Sequence, residues 1–257
     1  MIVRKSAEEL DRMRRAGRIV AGTISAVLGA VEPRASTLDL DRVAETYIRE
    51  QGATPSFKGY RGSSSTPFPA TICASLNHEI VHGIPSRTRV LAEGDLLSLD
   101  FGAIWDGFHA DSAVTVFVGG VPPSPDAEHL VKATEAALEA AIAQVRPGGR
   151  LSDIGHAIER VAAEEGLGLV REFGGHGIGR ALHEDPFVQN WGQPGRGPTL
   201  RPGLVLALEP MLNLGGDGTR MLADDWTVVT ADGSLSAHAE HTVAVTDDGH
   251  EILTARS

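Results

Sequence analysis

Leu97-Ser98-Leu99-Asp100-Phe101-Gly102-Ala103-Ile104-Trp105-Asp106-Gly107-Phe108-His109-Ala110-Asp111 reads as a strand carrying Asp100, a turn at Trp105-Asp106-Gly107, and a returning strand carrying His109, Ala110 and Asp111. More than a hundred residues later the pattern returns. Leu204 to Glu209 is an apolar strand ending in a carboxylate, answered by a later strand carrying His238, Ala239 and Glu240. Carboxylates inside strands of Leu, Val and Ala are costly, because an unpaired buried charge is penalised by many kcal/mol. Four of them on matching strands imply cations that neutralise them, and so a two-metal hydrolase.

Working outward, the two acidic hairpins sit at the ends of two similar halves. A capping box of Ser6 and Glu9 predicts a first helix with Leu10, Met13, Val20, Ile24, Val27 and Val31 on one face, stopped by Pro33. A second helix is expected from Ser36 or Thr37 to Gly52, and residues 54–70 read as a loop. Strands follow near 71–74, 79–82, 97–104 and 109–118. Ser124-Pro125 then opens a helix running to about Val145, and another spans roughly 152–165. Val31–Gly52 lies on Val145–Gly166 without a gap, matching Pro33 to Pro147, Asp39 to Asp153, Glu45 to Glu159 and Gly52 to Gly166. His82-Gly83-Ile84 echoes His176-Gly177-Ile178. This common order predicts an internal duplication within one catalytic domain, 1–257, its halves about 1–120 and 121–257 with a site between them.

The rest of the composition narrows the class. At 257 residues and 42% apolar content the chain can bury a sizeable core, and it has no apolar run long enough to span a membrane. One cysteine, Cys73, excludes an internal disulfide and fits a reducing cytoplasm. A net charge of -11 argues against specific nucleic-acid binding. Arg12, Arg14, Arg15 and Arg18 cluster near the start and read as a solvated helix face.

Asp100, Asp111, His176, Glu209 and Glu240 form the constellation with chemistry in it. Two divalent cations balance the four carboxylates, and bridging carboxylates hold such a pair about 3.5–4 Å apart. One imidazole among oxygen donors disfavours a structural zinc site and suits Mn, Fe, Co or catalytic Zn. The chain has no EF-hand spacing, and Asp106, Asp126 and Asp247 read as ordinary surface acids.

These residues resemble the methionine aminopeptidases. The resemblance rests on Val81-His82-Gly83-Ile84-Pro85, on Asp100 and Asp111 with Gly107-Phe108-His109 between them, and on Gly175-His176-Gly177-Ile178-Gly179. It continues through His183-Glu184, Glu209-Pro210-Met211 and Glu240-His241-Thr242, and so covers nearly the whole chain. The short span from His183 to Glu209 leaves no room for the type II helical insertion, so the chain is similar to type I, in its minimal bacterial form. The resemblance implies an α+β pita-bread fold, a curved antiparallel sheet backed by two pairs of helices. The implied activity is removal of an N-terminal methionine from peptides and nascent chains when the second residue is small.

Carried over residue by residue, the resemblance makes Asp100 a ligand of one metal, Asp111 and Glu240 bridges, and His176 and Glu209 ligands of the other. The metals implied are Co, Mn, Fe or Zn. Water activated by them would be the nucleophile, Glu209 a proton shuttle, and His183 a donor to the developing oxyanion. His82 would contact the substrate beside the scissile amide. Tyr60, Phe68, Cys73, Leu182 and Trp226 would line the methionine pocket. Two departures stand out: Ser63-Ser64-Ser65-Thr66-Pro67 looks like an insertion beside the pocket, and Leu182 occupies a position where an aromatic is usual. His109 and His238 each precede a ligand by two residues and read either as supports or as packing. A cytoplasmic monomer with transient ribosome contact is the expected context. Xaa-Pro peptidases of the same fold are the nearest alternative, and a non-catalytic binding relative is the next.

Overall fold

The computed structural model describes residues 1–62 and 64–256; Ser63 of the Ser-rich insertion lies outside the described residues. Helix pairs open both parts of the chain, most of them started by a local cap. In α1 (Ala7–Leu28) the Ser6 Oγ accepts from Glu9 N–H while the Glu9 carboxylate accepts from Ser6 N–H. In α2 (Thr37–Glu50) Ser36 and Asp39 repeat the exchange. Ser124 caps α3 (Pro125–Ile142), and Asp153 accepts from Arg150 N–H at the start of α4 (Leu151–Glu164).

Two helices end earlier than their prolines suggested. After Leu28 the amides of Ala30 and Val31 bond three residues back, to Val27 and Leu28. This tight turn leaves Val31 outside the helix, five residues before Pro33 would have forced an exit. α3 closes in the same way, with Gln144 and Val145 bonded to Ala141 and Ile142.

After α2 come β1 (Thr54–Pro55), β2 (Ile72–Leu76), β3 (Glu79–Val81), β4 (Leu96–Trp105) and β5 (Phe108–Phe117). β1 is a two-residue pairing with β4 inside the stretch read as loop. After α4 come β6 (Gly168–Leu169), β7 (Gly174–Gly177), β8 (Glu184–Gln189), β9 (Val205–Leu208) and β10 (Met211–Asn213). The remaining strands are β11 (Thr219–Met221), β12 (Val228–Thr230), β13 (Ser236–His238), β14 (His241–Val245) and β15 (His250–Ile252). One sheet runs β1-β4-β2 with β5 also on β4, and the largest runs β15-β14-β9-β7-β8. Short sheets β13-β10-β6 and β11-β12-β3 connect them, and every pairing is antiparallel.

Period-two alternation decides which way the acids face. Leu97, Leu99 and Phe101 of β4 pack with Val20, Ile24, Leu40 and Ile48 under the first helix pair. The even-numbered Ser98, Asp100 and Gly102 therefore point away from the helices. The second core sets Leu130, Leu138, Ile154 and Ile158 of the second helix pair against Leu206, Leu212 and Val243.

The two main sheets meet between β5 and residues 238–242, where hydroxyls replace missing backbone partners. Thr242 Oγ1 accepts from Asp111 N–H at 2.9 Å and donates to Asp111 O at 2.7 Å. Thr115 Oγ1 does the same for His238, accepting from its N–H at 3.0 Å and donating to its O at 2.7 Å. Here the sequence expectation needs correcting. The segment read as one strand through His238 and Glu240 is broken after His238, because β13 pairs with β10 while β14 pairs with β9. Ala239 and Glu240 form the crossing, with Glu240 N–H donating to Ala113 O and Ser112 Oγ donating to Glu240 O.

Candidate metal centre

All five proposed ligands converge at this seam. Asp100 and Asp111 come from adjacent strands offset by two positions, since Asp100 faces Ala113 and Asp111 faces Gly102. His176 of β7 faces Ala207 of β9, so Glu209, two residues on, lies on the same face. The β9–β14 register pairs Leu208 with His241, and one further step sets Glu209 opposite Glu240. Ligand atoms of Asp111, His176 and Glu240 lie within 4.8 Å of one another. His176 Nε2 is 3.6 Å from Glu209 Oε1.

The fit of cations to this cluster can be tested on its unsatisfied atoms. Asp100 Oδ1, Asp111 Oδ1 and Glu240 Oε1 are buried without a hydrogen-bond partner among the described residues. A native interior rarely leaves one such acceptor, and three side by side call for a cation. Burial pushes Glu209 up to about 8 and Asp100 up to about 6. It also raises Asp111 and Glu240, which the neighbouring carboxylates raise further. A divalent metal bound here would offset the shift, because each buried charge would gain a partner.

His176 is prepared as a ligand by its backbone. Its Nδ1 lies 2.9 Å from Gly177 O, which can only accept, so the proton sits on Nδ1 and the Nε2 lone pair faces the acids. Desolvation lowers its pKa to about 3, keeping the ring neutral. The glycines around it are required. A Cβ at Gly175 would stand 2.2 Å from Ala207 O, and one at Gly177 would stand 2.2 Å from Asp185 O.

A cavity of about 240 Å³ opens onto the acids, which line it together with every predicted pocket residue: Tyr60, Phe68, Cys73, Leu182 and Trp226, with His82 and His183. Phe68 meets Trp226 edge-on at 5.2 Å. Cys73 faces Asp100 across β2–β4; burial first, then the Asp100 and Asp111 charges, raise its thiol pKa, so it is a wall and no nucleophile. His82 holds φ +61, sparsely populated for a non-glycine, and its ring lies edge-on to Trp226 and Phe173. Desolvation leaves both His82, at about 4, and His183 neutral at pH 7. Tyr60 Oη is 2.8 Å from His183 Nδ1. With Tyr60 donating there, the neutral ring keeps its proton on Nε2, free to donate.

Some of the site was not foreseen. Phe57 and Gly62 also line the cavity. The signal for Phe57 was Gly102: a Cβ there would lie 2.7 Å from the Phe57 ring, and glycine inside a strand marks a close approach. His238 borders the acids, with Nε2 3.6 Å from Glu209 Oε2, whereas His109 is tied to Ser56 Oγ at 3.0 Å and packs alongside. Lys5, almost wholly buried, pairs with Glu184 at 2.7 Å. Glu184 also accepts from the Arg180 and Ala181 amides, so the turn carrying Leu182 and His183 is pinned from outside the cavity.

Metallopeptidase family M24 matches residues 11–247 of the chain. Methionine aminopeptidase 1 of Mycobacterium tuberculosis is 53% identical over 260 residues, covering 99% of this chain and 95% of that protein. The chain belongs to the methionine aminopeptidases of family M24. Methionine aminopeptidase 1 of Bacillus subtilis is 49% identical, covering 99% of each chain. Among solved structures, a methionine aminopeptidase from Thermotoga maritima superposes with a TM-score of 0.95 at 39% identity, covering all of both chains. Membership makes the chain a hydrolase that uses divalent metal and gives it the pita-bread fold. An Xaa-Pro dipeptidase from Bacillus anthracis, at TM-score 0.76 and 22% identity over 99% of this chain and 62% of that one, shares the fold alone.

Proposed function

We propose that this enzyme removes methionine from the N-terminus of peptides and nascent chains whose second residue is small, with two divalent cations held by Asp100, Asp111, His176, Glu209 and Glu240. The observation that carries the reading is the cluster of orphaned carboxylate oxygens lining one cavity with Phe68, Cys73, Leu182 and Trp226. When bound, the cations supply Lewis acidity toward water and the scissile carbonyl.

The rest belongs to the chain's own residues. Phe68, Cys73, Leu182 and Trp226 bind an apolar, unbranched first side chain and give a charged one no partner. His183 Nε2–H donates to the carbonyl oxygen as charge develops there, with Tyr60 holding the ring. His82, which lines the cavity from an unusual backbone conformation, orients the amide. Glu209, beside His176 at the acid cluster, takes a proton from water and returns it to the leaving amine. The donor set suits Mn, Fe, Co or Zn. Nascent N-termini are made in the cytoplasm, so the proposal places the enzyme there as a monomer in passing contact with the ribosome. No helix among the described residues is long and apolar enough to cross a membrane.

The test is a set of specificity constants for Met-Ala-Ser and Ala-Pro peptides, and for variants of the first residue, after reconstituting chelated enzyme with each metal in turn. Met-Ala-Ser should be cleaved, norleucine tolerated and Glu or Lys rejected. One methylene is worth only about 1–3 kcal/mol in such a pocket, and an unpartnered charge much more. Equal rates for Met and Lys would sink the pocket assignment, and no cleavage with any metal would revive a binding role.

A further inference from the structure

The Ser-rich segment, described from Ser64 onward, leaves the pocket wall and is fastened back onto it. Its roots are two wall residues, joined by Phe68 N–H to Tyr60 O at 2.7 Å and Gly59 N–H to Phe68 O at 2.8 Å. Its tip reaches Asp225, immediately before the third wall residue, Trp226. Asp225 Oδ2 accepts from Ser65 N–H at 2.9 Å, Ser65 Oγ at 2.7 Å and Ser64 Oγ at 3.0 Å. Trp226 Nε1–H donates to Thr66 O at 3.1 Å. The neighbouring Asp224 is occupied otherwise, accepting from the amides of Trp226 and Thr227 and so fixing the Trp226 backbone.

Asp225 sits at φ +65, where glycine is the unstrained residue and aspartate is held at a cost. Nothing in the turn itself requires a carboxylate; its side-chain partners are the two serines. A positive-φ residue whose carboxylate ties a loop to the residue before Trp226 points to a role in the cavity that Trp226 lines.

We propose that the Ser64–Ser65–Asp225 latch sets the width of the first-residue pocket, fixing Trp226 and Phe68 against each other and thereby determining how well the enzyme tells methionine from branched side chains. This deepens the aminopeptidase reading and rests on it. Leu182, which lines the same cavity, cannot supply the same rigidity, because it offers no ring to stack. Among the described residues, Ser64, Ser65 and Asp225 hydrogen-bond to none of the proposed ligands, so they act by positioning the wall.

Two variants test the latch, measured against Met-Ala-Ser and Leu-Ala-Ser in metal-loaded enzyme. Asp225→Gly suits the backbone and removes the acceptor; Ser64→Ala with Ser65→Ala removes the hydroxyl donors and leaves the backbone alone. Both should lower the Met-over-Leu ratio of kcat/KM by about fivefold or more, part of the ~10–200-fold that pocket fit can supply. KM for Met-Ala-Ser should rise while kcat stays within about threefold. An unchanged ratio in either variant overturns the latch while leaving the activity in place. Failure of the unaltered enzyme on Met-Ala-Ser would instead count against the aminopeptidase reading.

Discussion

The two roles proposed for Glu209, holding a cation and moving a proton, make different demands on one carboxylate. As a ligand it needs an oxygen; as a shuttle it needs an oxygen that takes up and releases H⁺. Glu209→Gln keeps the volume and one oxygen but cannot titrate. The variant should fold with unchanged circular dichroism, bind peptide within a few-fold of normal, and lose about 10²–10⁴-fold in kcat. Retention of a tenth of the normal rate would remove Glu209 from proton transfer. Tyr60 offers a gentler probe of the same chemistry, since its hydroxyl fixes the His183 tautomer without touching the acids. Tyr60→Phe should lower kcat several-fold and spare metal affinity, measured by calorimetric titration.

Among the elements, β7 is tightly constrained, because glycines flank the proposed ligand His176 and neighbouring carbonyls crowd both. Gly177→Ala puts a methyl 2.2 Å from Asp185 O, and overpacking of this kind costs about 1–3 kcal/mol. The expected result is a lower urea midpoint with weaker metal binding, because any shift that relieves the clash moves His176. Legibility in the sequence follows the same division between local and distant causes. The starts of α1 and α2 were readable because Ser6–Glu9 and Ser36–Asp39 are self-contained devices. Asp100 and Asp111 were readable because a hairpin is local and alternation assigns their face. The break at Ala239–Glu240 was hidden, since it depends on which strands β13 and β14 find, β10 and β9, far away in sequence. The short pairing of β1 and the place of Phe57 depend likewise on tertiary contact. The pocket residues came from resemblance; spacing alone would not have gathered Tyr60, Cys73 and Trp226 into one cavity.

For the whole molecule, the clustered acids make stability depend on metal and pH together. Without cations the folded carboxyls titrate above their unfolded values, Asp100 near 6 and Glu209 near 8. The folded state then binds more protons than the unfolded one, so stability is greatest below the usual carboxylate pKa and falls as pH rises through about 6 to 8. The melting temperature of chelated protein should therefore drop between pH 5.5 and 8.5. Saturating Mn or Co should raise it most at the alkaline end and release protons on binding. A melting temperature indifferent to metal at pH 8 would speak against the five-residue centre.

The seam between the sheets has a practical side. Asp100 and Asp111 precede the exposed Gly119-Gly120 turn, while His176, Glu209 and Glu240 follow it. Neither part owns the whole of the proposed ligand set, so bound metal would serve as a rivet as well as a reagent. A polypeptide nicked at that turn would hold together or come apart according to the free metal around it, which makes the turn a natural place to install a chelator-controlled switch.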